Sequence, residues 1–202
     1  MKRSILAAMA ALALAACAGD GPLLENRKPT ARPALDIVWG PVDSIFTTQV
    51  PGETLYAGPD GWQVATVFTV DDTTLITHFK FYQAAGETGS HTAKLYTSGG
   101  TLKASASFGA TSTGWNKVTL ALPVQIPEGT YVVSVNTNTY QVKSGGYFAF
   151  NGSINRTGLT ATGGKYGQPI NSFPSSGSSS AFFVDVLYRP KLCNDDVDFP
   201  CP

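Results

Sequence analysis

Charged side chains are scarce in this sequence. Only 14% of its 202 residues are Asp, Glu, Lys or Arg, and the 14 basic residues balance the 14 acidic ones. A zero net charge provides no basic field for nucleic acid and no acidic field for a cationic partner, so we expect neither. Neutral polar residues, with 21 Gly and 13 Pro, supply the surface instead. That composition is typical of an exported all-β domain with many short strands.

Long apolar runs are lacking too. The most apolar run, residues 5–16, is shorter than the roughly 20 residues that a membrane-spanning helix needs. It follows two basic residues and ends in small ones, which is typical of an export signal at residues 1–16. The tetrapeptide LAAC, residues 14–17, looks like the lipobox of bacterial lipoproteins, and this resemblance predicts that Cys17 carries the lipid.

A lipidated Cys17 predicts the location of the protein. Two or more acyl chains anchor a protein stably, so we expect a membrane-anchored protein of the cell envelope with its domain outside the cytoplasm. Ala18, where an Asp would favour the inner membrane, resembles the outer-membrane signal of Gram-negative bacteria. The alternative is a plain secretory signal in which the cysteine is incidental.

Cysteine is rare, and its number is odd. Apart from Cys17, the chain has only Cys193 and Cys201. An oxidising compartment would let this remaining pair form a disulfide that closes a short loop in a C-terminal tail, residues 190–202. The spacing does not fit a zinc site or a CxxC redox pair.

The rest of the chain divides into a tether and one domain. Residues 17–43 are rich in proline and lack periodicity, which predicts a tether. Residues 44–189 alternate apolar and polar side chains between turn signals, and no convincing helical pattern occurs there. We therefore predict an antiparallel β-sandwich or jelly roll of about eight to ten strands.

Individual strands can be assigned from the alternation. Leu75, Phe79 and Phe81 share one predicted face, and Pro123 is expected to end a strand or mark an edge strand. Residues 151–181 are less regular, which predicts a long surface excursion or a pair of irregular edge strands.

Eight short segments carry a resemblance to a known family. In order, they are TGSHT (88–92), LY (95–96), GG (99–100), the strand 102–108, GW (114–115), PV (123–124), GTYVVSV (129–135) and FFVDVLY (182–188). Together they resemble a family of secreted bacterial proteins known as domain of unknown function 4082, over roughly residues 44–189. Tyr96 stands where a Trp is common, and the segment VNT (135–137) stands where the family tends to a Tyr-His pair. The resemblance implies a β-sandwich module of the kind attached to polysaccharide-related extracellular proteins, and hence sugar binding.

Catalysis has little support in the sequence. GxSxG, HExxH, P-loop and dinucleotide-binding motifs are absent. Most acidic residues fall in predicted turns, and Asp185 is expected on an outer sheet face. We predict a protein that is not an enzyme and has no cofactor. Asp71–Asp72 and the tail NDDVD (194–198) lack calcium-loop spacing, so a structural Ca²⁺ is unsupported.

A binding module is the favoured class, for carbohydrate or another cell-surface component. Aromatic rings stack on sugar C–H faces, and amides and hydroxyls bond sugar hydroxyls. A module that docks to an envelope protein is the alternative, and a glycan-active hydrolase is less expected. Trp115 is expected in the core, and His91 mainly holds its loop. The ligand-binding candidates are Trp62, Tyr140, Tyr147, Asn138, Tyr82 and His91.

Overall fold

The computed structural model describes residues 37–192. Its strands are short and joined mostly by tight turns, and one five-residue helix, α1 (Tyr147–Asn151), interrupts them. The sequence did not predict this helix. The strands are β1 (Asp43–Ser44), β2 (Glu53–Tyr56), β3 (Trp62–Val70), β4 (Thr74–Gln83), β5 (Thr92–Thr97), β6 (Leu102–Ser107), β7 (Gly114–Ile126), β8 (Gly129–Thr137), β9 (Tyr140–Lys143), β10 (Ile154–Arg156), β11 (Leu159–Gly167), β12 (Ser176–Ser178) and β13 (Val184–Pro190).

The strands form two antiparallel sheets and a small ribbon. A four-stranded sheet has the order β1-β13-β4-β7. A seven-stranded sheet has the order β10-β11-β3-β8-β5-β6, and β12 also pairs with β11. The strands β2 and β9 form a separate two-stranded ribbon. No helix within residues 37–192 is long and apolar enough to cross a bilayer.

The core lies between the inner faces of the two sheets. Phe79 and Phe81 of β4 and Tyr188 of β13 come from the smaller sheet, and Phe68 and Leu95 come from the larger one. All five side chains are almost fully buried. This architecture confirms the predicted all-β sandwich, although thirteen strands are present rather than eight to ten. The extra strands are mostly two to four residues long, below the length at which alternation is visible in a sequence.

One predicted face is shifted by a bulge. Phe79 and Phe81 point into the core as expected, but Leu75 is half-buried and Ile76 is fully buried in its place. The pairing of β4 changes register around Thr77 with both neighbouring strands. Thr77 is an extra residue in the strand. Because of it, even-numbered residues point into the core before Thr77 and odd-numbered residues do so after it.

Pro123 lies inside β7 rather than at its end. The strand continues to Ile126, which is fully buried. Residues 120–123 of β7 have no paired residue in β4, and β7 is the edge strand of its sheet. A proline without an N–H donor is tolerated on an edge strand, so the edge interpretation of Pro123 is the correct one.

The first described residues are bonded to the last strand. Gly40 donates its N–H to Pro190 O (2.7 Å), and the Arg189 side chain donates to Gly40 O (2.7 Å) and Trp39 O (3.1 Å). Leu192 N–H bonds Val38 O at 2.8 Å. Residues 38–43 therefore belong to the folded domain, although the sequence placed them in the tether. The export signal, Cys17, Cys193 and Cys201 lie outside the described residues.

The irregular segment 151–181 supplies more of the sheet than expected. β11 is nine residues long and pairs with β3 along most of its length. The loop that follows, residues 168–175, returns over the outer face of the larger sheet, where Phe173 packs edge-on against Tyr96 (centroids 5.3 Å apart). Glycine and threonine weaken the apolar-polar alternation of β11, so the sequence does not indicate this strand clearly. Its pairing with β3 places it in the sheet.

Candidate functional site

A cavity of about 250 Å³ opens between the ribbon and the larger sheet. We call it the ribbon cavity. Its wall combines three aromatic rings with four polar side chains and contains no acidic residue. The lining residues are Trp62, Gln141, Lys143, Tyr166, Ser178, Ser180 and Phe182.

The ribbon supplies one wall through strand alternation. Gln141 and Lys143 lie two residues apart on β9 and therefore share a face. Val142, between them, points the other way and is buried in the core. Tyr140 lies on that same opposite face, where it packs against the core and meets Tyr56 edge-on at 5.6 Å. The cavity is therefore lined by Gln141 rather than by the predicted Tyr140.

The facing wall is aromatic. Trp62 begins β3, and its ring centroid lies 5.6 Å from that of Tyr166 on β11. The ring centroid of Phe182 lies 6.2 Å from that of Tyr166. Gly164 makes this arrangement possible, because a Cβ there would lie 2.8 Å from the Phe182 ring and 2.2 Å from Ser180 O. Only glycine allows the 180–182 segment to lie this close to β11.

The polar groups of the wall retain hydrogen-bonding capacity. Gln141 Oε1 is buried and has no hydrogen-bond partner among the described residues. Ser178 Oγ accepts the Ser180 N–H at 3.0 Å and keeps its own hydroxyl proton. The Lys143 ammonium lies 3.8 Å from Glu53 Oε1, a pair that is substantially exposed on both sides. Aromatic faces with unsatisfied polar groups are the chemistry that a neutral, hydroxyl-rich ligand requires.

Two further predicted candidates lie away from the cavity. Tyr82 is half-buried on β4 and meets Trp115 edge-on at 5.6 Å. Trp115 packs against the core, as predicted, between Phe46 and Phe183. Tyr147 belongs to α1 and packs against the core. Trp62 is thus the one predicted aromatic candidate that lines the ribbon cavity.

His91 and Asn138 belong to a buried polar cluster around Glu87. Glu87 is 4% exposed, although an acidic residue in this turn was expected to be solvated. Its carboxylate accepts the backbone N–H groups of Asn138 (2.5 Å), Thr139 (2.9 Å) and Tyr140 (2.6 Å). These bonds tie the turn before β5 to the turn between β8 and β9. We call Glu87, His91, Asn136 and Asn138 the loop anchor.

The other members of the loop anchor bond the same turn. His91 Nδ1 lies 3.0 Å from Asn136 O, so this nitrogen carries the proton and donates it. Asn136 Oδ1 accepts the Thr92 N–H at 2.7 Å, and Asn138 Nδ2 donates to Thr88 O at 2.7 Å. His91 is 1% exposed, and its ring lies 4.9 Å from that of Phe81. Both predicted candidates hold the loop in place.

A second buried carboxylate corrects the prediction for Asp185. The sequence placed it on an outer sheet face, yet Asp185 is fully buried. It accepts the N–H groups of Ile45 and Phe46, both at 2.9 Å, and lies 3.1 Å from Lys80 Nζ. Residues 44–46 cover this face. Desolvation raises the pKa of Asp185 to about 6, against the opposing effect of Lys80 and the two N–H groups.

Metal-ligating residues are dispersed in the part of the chain that the structure describes. Within residues 37–192 no three His, Cys, Asp or Glu side chains converge on a point that could hold a metal ion. Asp72 bonds the backbone N–H of Thr73 and pairs with Lys191 at 3.4 Å. The acidic tail 194–198 lies outside the described residues.

Sequence reasoning missed most of the cavity wall. Phe182 lies in the segment 182–188 and Tyr166 in the irregular segment 151–181, and neither is among the ligand-binding candidates that the sequence predicts. Gln141 is adjacent to the predicted Tyr140, and an assignment of the two faces of β9 would have selected it. Ser178 and Ser180 could not be singled out from the sequence, because the surrounding segment contains many serines.

The fold and the cavity together define a β-sandwich domain with a small, partly aromatic cavity between its ribbon and its larger sheet. A family model described as domain of unknown function (DUF4082) matches residues 48–184, and the chain belongs to this family. No curated protein matches the sequence.

Proposed function

We propose that this chain is a non-catalytic lipoprotein of the cell envelope whose β-sandwich binds carbohydrate in the ribbon cavity. The observation that carries the proposal is the cavity wall, where the rings of Trp62 and Tyr166 share the lining with the amide-bearing Gln141 and two serines. A sugar ring presents C–H groups to an aromatic face and hydroxyl groups to amides and serines.

The lining supports binding rather than glycoside hydrolysis. Glycosidases place two carboxylates on opposite sides of the scissile bond, and neither Asp nor Glu is among the seven lining residues. The buried carboxylates of Glu87 and Asp185 are committed to backbone N–H groups and, for Asp185, to Lys80. We therefore propose no enzymatic activity and no cofactor.

The proposal is tested with an array of glycans and bacterial polysaccharides probed with the purified chain. We expect reproducible binding that falls by roughly tenfold or more in Trp62→Ala. Tyr56→Ala is the matched control, because Tyr56 is an aromatic residue that is 65% exposed and does not line the cavity. Equal binding by wild type and Trp62→Ala, or no binding by folded protein, would contradict the proposal and favour docking to an envelope protein.

The envelope location rests on Cys17 and has its own test. We expect the wild-type chain in the membrane fraction and Cys17→Ala in the soluble fraction, since two acyl chains hold a protein firmly and none would remain. Retention of Cys17→Ala in the membrane fraction would contradict the lipid anchor and leave the sugar-binding proposal unaffected.

A further inference from the structure

Lys143 is the only charged residue that lines the ribbon cavity. Its ammonium belongs to β9, directly across the ribbon from Glu53 on β2. The two side chains are 30% and 43% exposed, and their closest atoms are 3.8 Å apart. Water screens a pair this exposed, so Glu53 holds the ammonium only weakly.

The positions of these two charges differ with respect to the cavity. Lys143 lines it, whereas Glu53 does not. Among the described residues, the lining therefore carries one positive charge and no acidic side chain that would oppose a negative group. Two other described lysines donate to backbone carbonyls: Lys94 Nζ to Asn171 O at 2.7 Å and Lys165 Nζ to Ser175 O at 3.2 Å.

Gln141 adds a side-chain amide to the same wall. A hydroxyl group is a suitable partner for an amide, because it both donates and accepts a hydrogen bond. Aromatic rings at Trp62, Tyr166 and Phe182 add a requirement for an apolar face. The ligand thus needs an anionic group, hydroxyl donors and a ring.

The volume sets the size of that ligand. Pockets for drug-sized ligands measure about 300–1,000 Å³. The ribbon cavity, at about 250 Å³, suits one ring rather than a longer segment of chain.

We infer that the ribbon cavity binds a sugar residue that carries a carboxylate, of the uronic acid type, with the carboxylate on Lys143 and a ring hydroxyl on Gln141. This inference rests on the proposed function and specifies its ligand class. In this inference, Lys143 distinguishes acidic from neutral sugars. The aromatic wall provides the affinity that both kinds of sugar share.

The test is a titration followed by NMR through the indole N–H resonance of Trp62, assigned with Trp62→Phe. The probes are sodium glucuronate, galacturonate and mannuronate, each compared with its neutral parent sugar. For at least one pair we expect roughly tenfold tighter binding of the acid, a preference that about 0.5 M NaCl reduces.

Three variants locate the source of the preference. Lys143→Met is expected to abolish it, so that the acid binds no more tightly than its neutral parent sugar. Glu53→Gln removes the competing carboxylate and is expected to tighten the acid by about two- to fivefold. Lys117→Met, which removes the same charge from the exposed surface of β7, is the control and is expected to have no effect.

The outcomes separate this inference from the proposed function. Equal binding of acids and neutral sugars, or an acid preference that survives Lys143→Met, would overturn the uronic acid assignment while sugar binding stands. No response of Trp62 to any of the six sugars would overturn both.

Discussion

The loop anchor and the ribbon cavity use similar side chains for opposite purposes. In the loop anchor, Glu87 and Asn136 direct their polar atoms to backbone groups of neighbouring turns. In the ribbon cavity, Gln141 Oε1 has no hydrogen-bond partner among the described residues, and the Lys143 ammonium pairs with the exposed Glu53 carboxylate at 3.8 Å. The interior carboxylate Asp185 behaves like the loop anchor, because backbone N–H groups and Lys80 occupy it.

This difference separates stability from binding. A buried polar group that is bonded inside the protein is costly to remove, since its partners are then left unsatisfied. A buried polar group without a partner, such as Gln141 Oε1, opposes folding, because the loss of its hydration is not compensated. Substitutions in the interior clusters should therefore act on unfolding, and substitutions in the cavity on binding.

The largest effect is expected for Lys80→Met. It leaves Asp185 buried without its cation, and breaking a buried pair in this way costs about 3–5 kcal/mol of unfolding free energy near neutral pH. Urea denaturation of wild type and variant measures the loss. The double variant Lys80→Met/Asp185→Asn is the control, and it should recover part of the stability because no unpaired charge remains.

The same pair predicts a pH dependence. The pKa of Asp185 is raised from 3.8 to about 6 by burial, so the folded chain binds this proton more tightly than the unfolded chain does. The contribution of Asp185 is therefore fully present below pH 3.8 and is lost as the pH rises through about 6. Lys80→Met should cost less near about pH 5 than near about pH 7.5. An equal cost at both pH values would contradict this assignment.

His91→Ala is expected to lower the unfolding free energy by about 3 kcal/mol, because it removes a fully buried ring. It should not change sugar binding. His91→Phe refills the volume but loses the donor to Asn136 O, so a smaller loss of about 1 kcal/mol is expected. Thermal melting with parallel glycan binding measures both; unchanged melting with lost binding would place His91 in the ligand site instead.

Glu87→Gln tests the loop anchor at constant size. The amide keeps one acceptor oxygen in place of two, so part of the three N–H bonds is lost and the cost should be about 1–2 kcal/mol. Hydrogen exchange at the amides of Asn138, Thr139 and Tyr140 should increase in the variant. Unchanged protection of these three amides would show that the carboxylate is not their acceptor in solution.

The smallest effect on stability is expected for Gln141→Leu. This change removes a buried carbonyl oxygen that has no hydrogen-bond partner among the described residues, so the unfolding free energy should not fall and should rise by at most about 1 kcal/mol. Binding of the array ligand should weaken. A destabilisation like that of Glu87→Gln would remove the contrast between cavity and loop anchor.

The sequence predicted the sandwich because alternation survives in its longer strands. Phe182, Val184, Val186 and Tyr188 were assigned to one face, and all four are buried. The prediction failed where one residue changes the phase, as at Thr77, since a bulge depends on pairing with strands far away in the chain. Asp185 does alternate with the core residues Val184 and Val186, but its burial was not predicted, because residues 44–46 cover the sheet face on which it lies.

The candidate site was predicted less completely than the fold. Trp62 was identified because an aromatic residue beside turn signals is recognisable locally. Its companions Tyr166, Phe182 and Gln141 come from three other segments. Gly164 allows the 180–182 segment to approach β11. The sequence contains 21 glycines, so Gly164 could not be recognised in advance as the one that permits this contact.

The sequence by itself determined the fold class, the family and the candidate export signal, because each depends on composition or on patterns read along the chain. The tertiary structure decided which polar side chains are hydrogen-bonded inside the protein and which line the ribbon cavity. Hydrogen-bond partners such as Glu87 and Thr139, or Asp185 and Phe46, lie 52 and 139 residues apart. Whether such groups meet depends on strand pairing and closure of the sandwich, and no local pattern encodes that.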